Sequence, residues 1–160
     1  MTTYPMPAEL LPHRAPILQI EAIQEFVAGA YLSATKTILA DNPFLAGHFP
    51  GYPIMPGVIV VEMLYQCCGL YLRMLTLDQA RKPGSQARKP GGQHLGGGHS
   101  GGGRAVKIDG LTFRGEIRPG MTIRLIVKPK LIVMRFAQFT GRVEDEAGGC
   151  LVDGILTVSI

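Results

Sequence analysis

The sequence predicts an α+β fold in which an antiparallel sheet wraps one long apolar helix. Three observations carry this expectation. Residues 57–77 are apolar on nearly every helical face, two runs rich in β-branched residues precede them, and three or four further strand-like runs follow. A helix that is apolar all round must be surrounded by protein. In a chain of 160 residues, only a sheet built from those runs is available to cover it. The length suits one domain spanning residues 1–160. With 46% hydrophobic and 18% charged residues, the composition is that of a folding chain and not of a disordered one.

Taken in order, the runs "ILQIEAIQEFV" and "AYLSATKTIL" flank Ala28 and Gly29 and read as a β-hairpin. From 41 to 56 the chain reads as a loop, because Pro43, Gly47, Pro50, Gly51, Pro53 and Pro56 rule out a regular helix and a central strand. Pro56 suits the first turn of a helix, where its missing N–H costs nothing. The helix "GVIVVEMLYQCCGLYLRMLTL" follows. Gly57 and Gly69 each weaken it by roughly 1 kcal/mol relative to alanine, so both are expected where something packs close. Residues 84–103 hold nine glycines and only Ala87 and Leu95 as apolar residues; such a stretch cannot offset its chain entropy, and a flexible loop is expected over about 79–104. Then come "RAVKIDGLTFRGEI", "TIRLIVKPKLIVMRFAQFTGRVE" and "CLVDGILTVSI", with a type II turn at "RPGM" and a second turn at "EDEAGG".

Composition narrows the function. Cys67, Cys68 and Cys150 are odd in number and form no CxxC pair, and helical neighbours point about 100° apart. No disulfide framework is expected, and the thiols read as core residues of a reducing compartment. The opening "MTTYPMPAELLPHR" shows no basic-then-apolar leader, which reads as cytoplasmic. The apolar run 54–77 approaches a membrane span in length but contains Glu62, Gln66 and Arg73, so a soluble core helix is expected and no membrane association. The net charge of +4 suits an acidic partner.

The chemistry-bearing stretch is "GHFPGYPIMPGVIVVEMLYQ", residues 47–66. His48 lies in the constrained loop and Glu62 lies two turns into the helix. An imidazole with an ordinary pKa of about 6.5 accepts a proton at neutral pH, and a glutamate buried in apolar surroundings tends to hold one. One base and one acid result, suited to removing a proton from carbon while protonating a departing hydroxyl. Gln66, one turn beyond Glu62 on the same face, is placed to hold the carboxyl group. The backbone N–H groups of Gly57 and Val58, free at the helix start, are placed to stabilise a carbonyl oxygen gaining charge. Taken singly, a loop histidine is more often structural or solvated, and a glutamate in an apolar helix can simply close a hydrogen-bond network. The combination favours general acid/base catalysis.

The segments "LPHRAPIL" (11–18), "NPFLAGHFPGYPIMPGVIVVEMLYQ" (42–66) and "LTFRGEIRPGMTIRL" (111–125) resemble the β-hydroxyacyl-acyl carrier protein dehydratases of the FabZ type. The resemblance covers nearly the whole chain outside the Gly-rich segment. It implies a hotdog fold, with a long central helix wrapped by a curved antiparallel sheet. It also implies a dimer as the minimal active unit, in which the histidine of one subunit faces the glutamate of the other beside an acyl tunnel. On this resemblance His48 removes the α-proton of a 3-hydroxyacyl thioester on acyl carrier protein, Glu62 assists loss of the β-hydroxyl as water, and the Gly57 N–H polarises the thioester carbonyl. No cofactor is implied. Members that also isomerise the product carry aspartate at the helix position, so Glu62 favours plain dehydration. Ala15 and Ile17 stand where the family has tyrosine and phenylalanine, "QIEAI" (19–23) lacks the usual aspartate-arginine pair, and Tyr65, Cys67 and Cys68 replace small alanines. Chain-length preference does not carry over, and such departures suit specialised fatty-acid or polyketide assembly. Two other readings stay open: a subunit that pairs with a second hotdog protein and mainly binds the acyl chain, and a hotdog acyl thioesterase.

Between Asp78 and Asp109 there is no acidic residue, while Arg81, Lys82, Arg88, Lys89, Arg104 and Lys107 are basic. A solvated linker is the favoured reading of this segment. Docking of an acidic carrier protein by long-range attraction comes second. Nucleic-acid binding is disfavoured, because no aromatic residue is interleaved for base stacking. His94 and His99 have no cysteine or carboxylate near them in sequence, and no metal site is expected.

Overall fold

The hairpin around Ala28 and Gly29 forms as expected. In a computed structural model, which describes residues 3–81 and 103–160, β1 (Ala22–Val27) and β2 (Tyr31–Thr37) pair antiparallel with Val27 opposite Tyr31. The Gly29 N–H donates to the Tyr71 hydroxyl at 2.8 Å, which pins the hairpin turn to the long helix. That helix, α2, spans Gly57–Arg81, and a single short turn of helix, α1 (Pro7–Leu10), precedes the hairpin.

The strand-like runs after the helix resolve into four strands: β3 (Arg104–Phe113), β4 (Thr122–Val133), β5 (Phe136–Glu144) and β6 (Cys150–Ser159). The middle run breaks at Met134 and Arg135, so β4 and β5 form a hairpin with Val133 opposite Phe136. Gly120 has φ 89° and the Met121 N–H donates to the Arg118 carbonyl at 3.2 Å, as the type II turn requires. At the second turn, the Asp145 carboxylate accepts from the Ala147 and Gly149 N–H groups at 2.9 and 2.7 Å.

All six strands join one antiparallel sheet in the order β1-β2-β4-β5-β6-β3. The chain therefore leaves β2 through the loop and α2, returns at the opposite edge as β3, and only then fills the middle. Alternation along the strands turns Leu32, Ala34, Leu125, Val127, Phe139, Val143, Val152 and Leu156 into a core shared with Val60, Met63, Leu64, Cys67 and Tyr71 of α2. Phe139 and Phe26 each meet the Tyr71 ring edge-on at 5.4 Å. The architecture is the α+β hotdog fold.

Both helical glycines sit where something packs close. A Cβ on Gly57 would lie 2.8 Å from the Phe113 ring, and one on Gly69 would lie 3.0 Å from Leu11. Cys67 and Cys68 are fully buried, Cys150 is half-buried, and all three are free. Burial pushes both buried thiols far up from their ordinary pKa. The helix is long and apolar enough to cross a membrane, but 56% of its most apolar window is buried inside the fold, which makes it a core helix.

Two expectations need correction. The sheet does not cover every face of the helix: Val58 is 75% exposed, and Val61, Glu62 and Tyr65 are only half-buried. One curled sheet reaches round one side of a cylinder, and residues of the segment preceding β1, such as Leu11 against Gly69, cover only part of the other. Both ends of the stretch 79–104, expected as loop, lie in regular elements, because α2 continues through Arg81 and β3 begins at Arg104. Residues 82–102, with their basic side chains and the two histidines, lie outside the described residues.

Candidate active site

His48 is held by a loop with no room to drift. Its N–H donates to the Leu45 carbonyl at 3.1 Å, the Tyr52 N–H donates to the Phe49 carbonyl at 2.8 Å, and Phe49 takes a positive φ of 56°. The far end of the loop is anchored to the strand-connecting segment: the Met55 N–H donates to the Ile117 carbonyl at 2.7 Å, and the Tyr52 hydroxyl donates to Glu116 at 2.9 Å. Arg118 hydrogen-bonds the Glu116 carboxylate and lies 4.6 Å over the Tyr52 ring. These contacts hold the Glu116 carboxyl below the usual carboxylate range.

The orientation of the imidazole follows from its partner. Its Nδ1 lies 3.0 Å from the Ile54 carbonyl, and a carbonyl can only accept, so Nδ1 carries the hydrogen. In the neutral ring Nε2 is then bare and basic, which is the state a proton acceptor needs. The Phe49 ring packs at 4.3 Å from the imidazole.

Glu62 is held from two sides. Gln66, one turn on, donates its Nε2 to Glu62 Oε1 at 2.9 Å and to the Ile17 carbonyl at 2.7 Å. The orientation of this amide is set, because its Oε1 accepts from the Gln19 N–H at 3.1 Å. Gln19 in turn accepts on its side-chain oxygen from Asn42 Nδ2 at 2.9 Å, and Asn42 caps the loop by accepting from the Phe44 N–H at 3.1 Å. A buried amide chain, Asn42 to Gln19 to Gln66, thus links the start of the His48 loop to the carboxylate. On its other side Glu62 Oε1 lies 3.5 Å from Nε2 of His13.

At the helix start the Pro56 carbonyl takes the N–H groups of Ile59 and Val60 at 2.9 and 3.2 Å. Among the described residues no acceptor engages those of Gly57 and Val58, so two donors stay available one turn before Glu62.

The expected burial of Glu62 is not met within one chain. Its side chain is 30% exposed, because it belongs to the helical stripe that the sheet leaves uncovered. His48 and Glu62 likewise make no direct contact within the chain: the imidazole touches Ile54 and Phe49, and the carboxylate touches His13 and Gln66. A cleft of about 390 Å³ beside the loop is lined by Asn42, Leu45, Phe49 and Pro53. A larger one of about 760 Å³ lies on the sheet around Lys128, Arg142 and Asp153. Neither is lined by His48 or Glu62, so geometry of the acid and base outweighs cavity size here. Reasoning from sequence missed His13, Gln19 and Asn42 as site residues. His13 stands in the quoted "LPHRAPIL" and Gln19 in "QIEAI", but only the fold brings them to Glu62. Among the described residues no cluster of metal-ligating side chains occurs.

Comparison with known proteins bears on the same residues. The FabA-like domain model matches residues 11–93, the segment that contains His13, His48, Glu62 and Gln66. The 3-hydroxyacyl-[acyl-carrier-protein] dehydratase FabZ of Geotalea uraniireducens is 31% identical over 149 residues, covering 92% of this chain and 85% of that protein. The FabZ of Bordetella pertussis is 34% identical over 146 residues, covering 91% and 83%. Among solved structures, the dehydratase heterocomplex ApeI:P from Xenorhabdus doucetiae superposes with a TM-score of 0.75 at 19% identity, over 98% of this chain and 91% of that one. A Haemophilus influenzae thioesterase superposes with a TM-score of 0.61 at 14% identity, over 99% and 91%; at these identities the likeness is one of fold.

Proposed function

The chain belongs to the FabA-like family and, within it, stands with the FabZ dehydratases; on that premise we propose how its own residues carry out the reaction. It is a hydro-lyase that converts 3-hydroxyacyl groups on acyl carrier protein to the trans-2-enoyl form. Bare Nε2 of His48 takes the α-proton. The electron pair of that C–H bond becomes the new double bond as the β-carbon–oxygen bond breaks. Glu62 gives its proton to the departing hydroxyl, which leaves as water. The Gly57 and Val58 N–H groups receive the thioester oxygen as it gains charge, the kind of preorganised donor pair that matters most in such steps. His48 ends with one extra proton and Glu62 with one fewer, so a proton must return from the first to the second through solvent.

The observation that carries this reading is the hydrogen bond from His48 Nδ1 to the Ile54 carbonyl, because it leaves the other ring nitrogen free to act as a base. We further propose that the working unit is a homodimer or a higher homo-oligomer in the cytoplasm, with residues 1–160 of each copy acting as a single domain. A second chain against the open stripe of α2 would bury Glu62, and would carry its own His48 to the partner's Glu62. The acyl chain would then lie along the apolar helix.

The test uses the purified protein with a series of 3-hydroxyacyl carrier substrates, read by mass. Loss of one water identifies the dehydration, and the preferred member identifies the chain length. Release of free thiol instead would identify thioester cleavage and overturn the reading. Because one structural neighbour is a heterocomplex, a second reading is a subunit that needs a different hotdog partner. Activity of the isolated homo-oligomer excludes it.

A further inference from the structure

His13 reaches Glu62 from the segment that precedes β1, and its two ring nitrogens sit in opposite surroundings. Nε2 stands 3.5 Å from Glu62 Oε1. Nδ1 is buried and has no hydrogen-bond partner among the described residues. A buried N–H without an acceptor is among the rarest arrangements in folded proteins, so Nδ1 is the bare nitrogen and the hydrogen sits on Nε2. The carboxylate side agrees: a lone pair on Nε2 would face an oxygen already rich in charge, whereas an N–H faces an acceptor. His13 therefore presents an N–H, not a lone pair, to Glu62 Oε1.

Both neighbours of Oε1 are then donors, His13 Nε2 and Gln66 Nε2, and that oxygen cannot also hold the acidic proton without a clash of hydrogens. We propose that His13 is a positioning residue that acts through Glu62: it directs the reactive proton to Oε2 and stabilises the carboxylate left when that proton passes to the departing hydroxyl. The inference rests on the dehydratase reading above. In the step concerned the Oε2–H bond breaks, the proton joins the hydroxyl oxygen, the carbon–oxygen pair leaves with water, and the negative charge remains on a carboxylate whose Oε1 accepts from Gln66 at 2.9 Å and lies 3.5 Å from His13 Nε2.

Other charged groups on the elements packed around this pair do not replace it. Arg14 donates to the Leu11 and His13 carbonyls at 2.9 and 2.7 Å, and Arg73 of α2 donates to the Leu10 carbonyl at 3.2 Å. Asp41 and His48 of the loop, and Glu21 paired with Lys36, make no contact with Glu62 within the chain.

The experiment compares the full-length protein with His13→Phe and His13→Gln, measuring kcat, KM and their pH profiles on one carrier-bound substrate. For His13→Phe the expected result is a fall in kcat on the order of tenfold with KM little changed. His13→Gln, which keeps a donor, should recover part of that loss. Ring-nitrogen NMR of the unaltered protein should show His13 with its hydrogen on Nε2 and none on Nδ1, a readout that needs neither substrate nor a stable variant. A hydrogen on Nδ1, or a His13→Phe protein with unaltered kcat, overturns the inference while leaving the dehydratase reading intact. An unaltered protein that is inactive on every 3-hydroxyacyl substrate overturns that reading and this inference with it.

Discussion

At the scale of single residues, each candidate reactive group has neighbours that orient it. The Ile54 carbonyl leaves His48 Nε2 bare, and Gln66 holds Glu62 Oε1. His48→Ala and Glu62→Gln should each lower kcat by on the order of 10²- to 10⁴-fold, with an unchanged circular-dichroism spectrum. Retention of full activity by either variant would remove the mechanism. The amide chain makes a separate prediction. Gln19→Leu takes the acceptor from buried Asn42, and an unsatisfied buried donor costs roughly 1–3 kcal/mol. Urea unfolding should show that loss, and activity should fall as well, because Asn42 caps the loop that carries His48. His48 and Glu62 were legible in sequence as candidates because both lie, with the constrained loop, within one continuous segment. Gln19 and Asn42 were not, since an amide in a strand-like run or a loop carries no pattern of its own until folding gives it a partner.

Elements meet here through side chains of fitted size. Where α2 lies on the sheet, Gly141 of β5 faces Leu64 and Leu156: a Cβ there would come within 2.6 Å of Leu156 and 3.3 Å of Leu64. Both leucines are fully buried and have nowhere to move, so Gly141→Ala should destabilise the protein by about 1–3 kcal/mol through overpacking. Calorimetry or urea unfolding checks this, and an unchanged midpoint would show that the helix can lift from the sheet. Gly57 offers the contrast, because the Phe113 ring it meets is half-exposed and can swing aside. Phe139, packed on Tyr71 at 5.4 Å, fills the centre of the core, and its replacement by alanine should cost about 3–5 kcal/mol. The element types were readable from alternation and from proline and glycine punctuation. Close packing at Gly57 was foreseen without its partner, which lies far away in sequence, and the close contact at Gly141 was not foreseen.

At the scale of the whole molecule, the open stripe of α2 adjoins an edge of the sheet. The Tyr65 hydroxyl donates to the Lys107 carbonyl at 2.9 Å and Phe113 covers Gly57, so β3 runs beside the first half of the helix. Among the described residues β3 pairs only with β6 and exposes Val106, Ile108 and Phe113, while the helix exposes Val58. An edge strand with apolar side chains next to an uncovered helical face is a liability for a lone chain and an asset for an assembly. The double variant Val106→Lys/Ile108→Lys should therefore dissociate, as read by light scattering, and lose activity although His48 and Glu62 are untouched. A fully active monomer would sink the shared-site proposal.

Local pattern alone determined the long apolar helix, the hairpin before it, the strands after it, and the turns at Gly120 and Asp145. These are properties of neighbouring residues, set by backbone sterics, hydrogen-bond capacity and the periods of helix and strand. Tertiary structure decided the strand order, which sends β3 to the far edge, the half-exposure of Glu62, and the approach of His13, Gln19 and Asn42. Those outcomes depend on which surfaces remain uncovered once one finite sheet has curled around one helix, a geometric remainder that no short stretch of sequence contains.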